Sequence, residues 1–177
     1  EANSPVAAMT HHVFETPTAE SKKQLVQSLA SGSGRRILFM RTKHHAKKLA
    51  KLLTEQGIPA VDLHGNLSQP ARDRNLAAFS EGKVNVLVAT DVAARGIDID
   101  DIAAVIHYEP AKDNKDYLHR SGRTARAGRD GWAVTLVEYN QHTQVTILQR
   151  TMRMPITKSI EVFSNNSKLA NLAEFLS

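Results

Sequence analysis

Val84-Asn85-Val86-Leu87-Val88-Ala89, followed at once by Thr90-Asp91-Val92-Ala93-Ala94-Arg95-Gly96-Ile97-Asp98, decides how this chain folds. The first half is the most apolar strand candidate in the sequence, and a near-continuous apolar run marks a strand buried on both faces, as in a parallel sheet. Parallel neighbours need crossover connections, which are nearly always right-handed. Strands should therefore alternate with amphipathic helices. They do.

Upstream, residues 18–30 read as a helix with Leu25, Val26 and Leu29 at helical spacing, ended by Ser31-Gly32-Ser33-Gly34. Ile37-Leu38-Phe39-Met40 is a buried strand. A helix over about 44–56 turns Ala46, Leu49, Ala50, Leu52 and Leu53 inward and Lys43, Lys47, Lys48 and Lys51 outward, and Gly57 closes it. Residues 60–63 form a strand, and 69–81 a helix that tolerates Pro70 in its first turn. Downstream of the deciding stretch, residues 90–100 read as a loop and 103–108 as a strand. A helical or turn segment covers 113–127, a strand 132–137, a helix 141–151 and a last strand 159–163. The expectation is an α/β fold with a mostly parallel central sheet flanked by helices. Weakly patterned ends cover 1–17 and 164–177, and 158–177 is expected to hold the last strand and the start of a C-terminal extension. There, Leu169, Leu172, Ala173, Phe175 and Leu176 follow Ser164-Asn165-Asn166-Ser167 at helical spacing, the start of an extension or a further packed helix.

Composition narrows the function. The 177 residues hold 41% hydrophobic and 23% charged side chains, which suits one globular lobe and excludes wholesale disorder. There is no cysteine, so disulfide frameworks, thiolate zinc sites and cysteine nucleophiles are excluded, and a reducing compartment is suited. No apolar run is long enough to span a bilayer and the first ten residues lack a signal-peptide pattern, so the chain is expected to be cytoplasmic and to have no membrane partner. His11-His12 and His44-His45 are adjacent pairs without zinc spacing, and no metal site is expected. The net charge of +5 suggests an anionic partner, so the placement of the arginines matters.

Three clusters follow strand ends, where ligands gather in open α/β sheets. The first is Thr90 through Asp98, which presents a hydroxyl, an arginine, a glycine and a carboxylate together; capping by Asp91 or Asp98 is the plainer reading. The second is His64-Gly65 with Gln69 and Arg72, the last two neighbours on one helix face. The third is His119-Arg120-Ser121-Gly122-Arg123-Thr124-Ala125-Arg126-Ala127-Gly128-Arg129, with an arginine at every third position. A solvated basic face is the bland alternative, yet glycines allow close approach and guanidinium forks suit phosphate.

In this order the clusters, together with Ile37-Leu38-Phe39-Met40-Arg41-Thr42-Lys43, resemble the motifs of the C-terminal RecA-like lobe of DEAD-box RNA helicases across residues 20 to 155. Ser121 and Ala125 depart from the family's usual apolar residue and glycine. The resemblance implies a RecA-like three-layer sandwich over 18–157, with 1–17 as an interlobe arm. It implies that Arg123 and Arg126 act as arginine fingers on ATP held with Mg2+ mainly by a preceding N-terminal lobe, that Gly96 and Asp98 contact the nucleotide, and that His119 and Arg120 bridge the lobes. RNA contacts are expected from Thr42, Gly65, Gln69, Arg72, Thr90, Arg95 and Gly96. These groups read phosphate and sugar, so binding should be largely sequence-independent. The sequence holds neither a G-x-x-x-x-G-K-[ST] loop nor an Asp-Glu-Ala-Asp run. The lobe alone is therefore expected to hydrolyse nothing. A non-catalytic RNA-binding or partner-docking module is the other reading.

Overall fold

The computed structural model describes residues 9–16, 18–32, 34–95, 102–121, 131–138 and 160–161. Along the chain these form β1 (Met9–Thr16), α1 (Ala19–Ala30), β2 (Arg35–Met40), α2 (Lys43–Glu55), β3 (Ala60–Leu63), α3 (Gln69–Ser80), β4 (Val86–Thr90), α4 (Asp91–Ala94), β5 (Ile102–His107), α5 (Asn114–Ser121), β6 (Gly131–Glu138) and β7 (Ile160–Glu161). The strands make one sheet in the order β3-β4-β2-β5-β6-β1-β7, and every pair is parallel.

Across β2, β4 and β5 both faces of the sheet are dry, for the reason the apolar runs announce. Successive side chains of a strand point to opposite faces. Leu38, Met40, Val86, Val88, Ala104 and Ile106 go to one side, where Leu25, Val26 and Leu29 of α1 and Ala46, Leu49 and Leu53 of α2 cover them. Ile37, Phe39, Leu87, Ala89 and Val105 go to the other, beneath Phe79 of α3 and Ala93 and Ala94 of α4. The result is a helix–sheet–helix sandwich. Three helices start on hydroxyl caps: Oγ1 of Thr18 accepts from Ser21 N–H, Oγ1 of Thr42 from His45 N–H and Oγ of Ser68 from Ala71 N–H. No helix among the described residues is long and apolar enough to cross a membrane.

Two elements differ from expectation. Residues 9–16, read as part of an arm, form a strand inside the sheet between β6 and β7, with Phe14 fully buried. Its sequence, MTHHVFET, breaks its apolar residues with two histidines, so it lacks the continuous run that reveals β2 and β4. Residues 91–94, read as loop, form the one-turn α4, too short for any periodicity to show. The helix expected over 141–151 and the residues from 122 to 127 of the segment expected over 113–127 lie outside the described residues.

Gly34 enters β2 with φ +82°, and a Cβ there would lie 3.0 Å from Ala103 Cβ; Gly57 closes α2 with φ +85° and open space around it. The left-handed backbone alone costs an L side chain about 1–2 kcal/mol. Gly57→Ala is expected to lose about that much, and Gly34→Ala more, because Ala103 cannot move without moving β5. Urea unfolding checks this; equal losses, or a larger one at Gly57, would refute the steric part.

Candidate functional site

The strands β2, β3, β4 and β5 run parallel, so their carboxyl ends open on the same edge of the sheet. A cleft of about 550 Å3 lies there. The β2–α2 junction lends it Arg41, Thr42 and Lys43, and the β3–α3 turn lends Gly65. The β4–α4 junction supplies Thr90, Asp91, Val92 and Arg95, and the β5–α5 connection supplies Lys112 and Asp116. Thr42, Gly65, Thr90 and Arg95, distant in sequence and expected to act together, are thus neighbours here.

Four cations face two carboxylates, and both carboxylates are already engaged. Asp116 is 1% exposed; its Oδ1 accepts from Arg95 Nη2 at 2.8 Å and its Oδ2 lies 3.7 Å from Lys112 Nζ. Arg41 Nε donates to the Pro110 carbonyl at 3.0 Å, and its N–H to Glu109 Oε1 at 2.9 Å. Lys43 Nζ donates to Asn66 Oδ1 at 3.0 Å, which holds the ammonium beside Gly65. The cleft therefore presents surplus positive charge.

Its neutral groups are equally specific. Thr42 Oγ1 accepts the capping bond of α2, and its O–H remains to donate outward. Thr90 precedes α4 but its side chain makes no capping bond. Gly65 has no positive φ, and a Cβ there would meet nothing within 4 Å, so the fold does not require a glycine. Val92 is 77% exposed, the one large apolar side chain so placed among the described residues.

Asp91 leads to the centre of the lobe. Arg120, 1% exposed, forks onto Asp91 Oδ1 and Oδ2 at 2.6 and 2.8 Å. Its Nη1 also donates to the Glu109 carbonyl at 2.6 Å and to Nδ1 of His107 at 3.3 Å, and its guanidinium lies 5.2 Å from the centre of the Phe39 ring. A guanidinium only donates, so His107 Nδ1 is the acceptor. The His107 ring stacks on Tyr117 at 4.6 Å. Expected to bridge to another lobe, Arg120 here directs four of its five N–H groups to partners within this one, and these bonds pin α5 to the ends of β4 and β5. His119, beside it, is exposed.

Gln69 and Arg72 do not line the cleft. Gln69 Nε2 donates to Asp73 Oδ1 at 2.8 Å, and Arg72 Nη2 to the Ala93 carbonyl at 2.9 Å, so Arg72 ties α3 to the end of α4. Nearby, Nδ1 of the buried His64 accepts from Asn66 N–H at 3.3 Å, so Nε2 carries the proton donated to Asp62 Oδ2 at 2.8 Å. Asn75 Nδ2 donates to the Asp62 carbonyl at 2.8 Å, which fixes the strand end that precedes Gly65. Gly96, Asp98, Arg123 and Arg126 lie outside the described residues. Sequence reasoning missed Lys112 and Asp116; the rule that ligands gather at strand carboxyl ends, applied after β5 as it was after β4, would have pointed to them.

Comparison with known proteins matches the arrangement to one family. Residues 20–128 match the helicase conserved C-terminal domain. The chain is 40% identical over 150 residues to DEAD-box ATP-dependent RNA helicase 53 of Oryza sativa subsp. japonica, covering 84% of this chain and 25% of that protein. It is 45% identical over 122 residues to ATP-dependent RNA helicase SrmB of Escherichia coli, covering 69% of this chain and 28% of that one. It therefore spans little more than a quarter of these curated relatives. Among solved structures, Dbp5 of S. cerevisiae bound to RNA and ADP BeF3 superposes with a TM-score of 0.86 at 28% identity, over 99% of this chain and 47% of that one. SrmB of E. coli bound to regulator of ribonuclease activity A gives 0.79 at 38% identity, over 86% and 91%. With its parallel RecA-like sheet and its motifs at the carboxyl ends, this chain belongs to the helicase C-terminal domain family, as a lobe of the DEAD-box RNA helicase kind.

Proposed function

We propose that this lobe forms half of an ATP-dependent RNA helicase, gripping RNA backbone in the cleft at the sheet edge and reaching with Arg123 and Arg126 to ATP held with Mg2+ by a preceding lobe. The observation that carries the RNA half is the cleft itself. Thr42, Gly65, Thr90 and Arg95 come from three different strand ends and share one wall system with Arg41, Lys43 and Lys112. Hydroxyls and cations suit phosphate and ribose oxygens, and a bare Cα lets a strand lie close. Among the described residues the cleft offers no aromatic platform, so affinity comes from backbone rather than from stacked bases. Behind it, Arg72 holds the end of α4 and Gln69 is bonded along α3 to Asp73. The likeness to Dbp5 bound to RNA and ADP BeF3, and to relatives that are ATP-dependent RNA helicases, supports RNA as the ligand and ATP as the fuel.

On this reading ATP and RNA both favour the closed pair of lobes, and each assists the other. Asp98 takes the ribose hydroxyls and Gly96 the adjoining backbone approach. His119, exposed at the end of α5, meets the other lobe.

Thr90→Val tests the cleft. The exchange keeps shape and removes only the hydroxyl, which makes no capping bond. RNA affinity is expected to fall roughly tenfold to a hundredfold, as when a hydrogen bond to a charged group is removed, with an unchanged melting temperature. Unchanged affinity for a short RNA would refute the assignment.

A further inference from the structure

We infer that the outer face of α2 is a second phosphate track, which takes the RNA strand where it leaves the cleft; the inference rests on the cleft reading above. α2 reads KHHAKKLAKLLTE. Ala46, Leu49, Ala50 and Leu53 are buried against the sheet, while Lys43, His44, His45, Lys47, Lys48 and Lys51 are all exposed. At 1.5 Å per residue, Lys43, Lys47 and Lys51 form one ridge with steps of about 6 Å and a span of about 12 Å. The ridge begins in the cleft, since Lys43 lines it and is held there by Asn66.

The fold gains little from Lys47, Lys48 and Lys51. Like charges four apart on a helix cost a few tenths of a kcal/mol per pair. The first turn of α2 holds no acid, against the preference of a helix N-terminus for negative charge. Lys47, Lys48 and Lys51 have no ion-pair partner among the described residues, whereas surface Lys83 is paired with Glu81. On α3, by contrast, Arg72 and Arg74 flank Asp73. A line of solvated point charges continuous with a phosphate cleft complements a polyanionic strand. An acidic protein fits less well, because protein interfaces anchor on apolar side chains and on Tyr, Trp or Phe, and the exposed positions of α2 carry none of these.

The test is the triple variant Lys47→Ala, Lys48→Ala, Lys51→Ala in the full-length protein. Its affinity is measured across a salt series for a single-stranded RNA of about 6 nucleotides, which the cleft alone accommodates, and for one of about 20. The long RNA is expected to bind about tenfold more weakly at ~0.1 M salt, with a salt slope shallower by about 2, near 0.7 for each single-strand phosphate that is no longer neutralised. The short RNA should bind as before, and the melting temperature should hold or rise slightly. If the variant binds both RNAs as the wild type does, the track is refuted, even if it loses an acidic protein. If the wild type fails to bind the short RNA, or Thr90→Val leaves it unweakened, the cleft reading fails first.

Discussion

Arg120→Ala is expected to destabilise the lobe by about 3–5 kcal/mol, the usual cost of breaking a buried ion pair by removing one partner. For a chain of this size that is a drop in melting temperature of roughly 6–20 °C. The guanidinium has no accessible side-chain surface, and it meets a carboxylate, a carbonyl and an imidazole nitrogen at once. Its loss strands Asp91, only 17% exposed, and opens a hole over Phe39. Arg120→Lys keeps the charge but not the fork, and a point charge cannot reach both Asp91 oxygens and the Glu109 carbonyl together. It should fall between alanine and wild type. Replacing both partners, Asp91→Leu with Arg120→Met, should recover much of the loss, since no buried charge is then left alone. Chemical unfolding of the four proteins decides it. An alanine variant within about 1 kcal/mol of wild type would mean that the network is not what joins α5 to β4 and β5.

What could be read from the residues alone follows from how many of them carry each signal. β2 and β4 are legible because a strand buried on both faces must be apolar at every position, and Ile37-Leu38-Phe39-Met40 and Val86-Leu87-Val88-Ala89 are. β1 pairs inside the same sheet yet is illegible, because its neighbours β6 and β7 come from more than a hundred residues downstream and nothing in MTHHVFET reports them. Thr42, Gly65, Thr90 and Arg95 could be gathered beforehand because each lies at or soon after the carboxyl end of a strand. The fate of Arg120 could not. One arginine in a run of arginines every third residue looks like its neighbours, and only the packing of α5 against His107 and Asp91 makes it an interior residue. Arg72 shows the same limit: its spacing from Gln69 marked a helix face, but not that the guanidinium would be used on the Ala93 carbonyl.

Arg123→Ala and Arg126→Ala should each lower RNA-stimulated ATP turnover by on the order of a thousandfold or more, while RNA affinity changes little. Phosphoryl transfer spreads negative charge over the equatorial oxygens, and a guanidinium placed there is worth most in the transition state, so kcat falls rather than KM rising. α5 ends at Ser121, two residues before Arg123, and is anchored by the Arg120 fork on Asp91, whose neighbours Thr90 and Val92 line the cleft. The cleft wall at Thr90 and Val92 and the last turn of α5 thus meet at one buried ion pair. The proposed division of roles predicts a double dissociation. Thr90→Val weakens RNA binding yet keeps turnover at saturating RNA, whereas the Arg123 and Arg126 variants keep RNA binding and lose turnover. Arg→Lys at either position should rescue little, because a single ammonium cannot bridge two phosphate oxygens as a planar fork does. Steady-state ATP hydrolysis of the full-length protein, titrated separately with ATP and with RNA, measures both arms. Turnover of the alanine variants within a few-fold of wild type would remove Arg123 and Arg126 from the reaction and leave the lobe as an RNA-binding module alone.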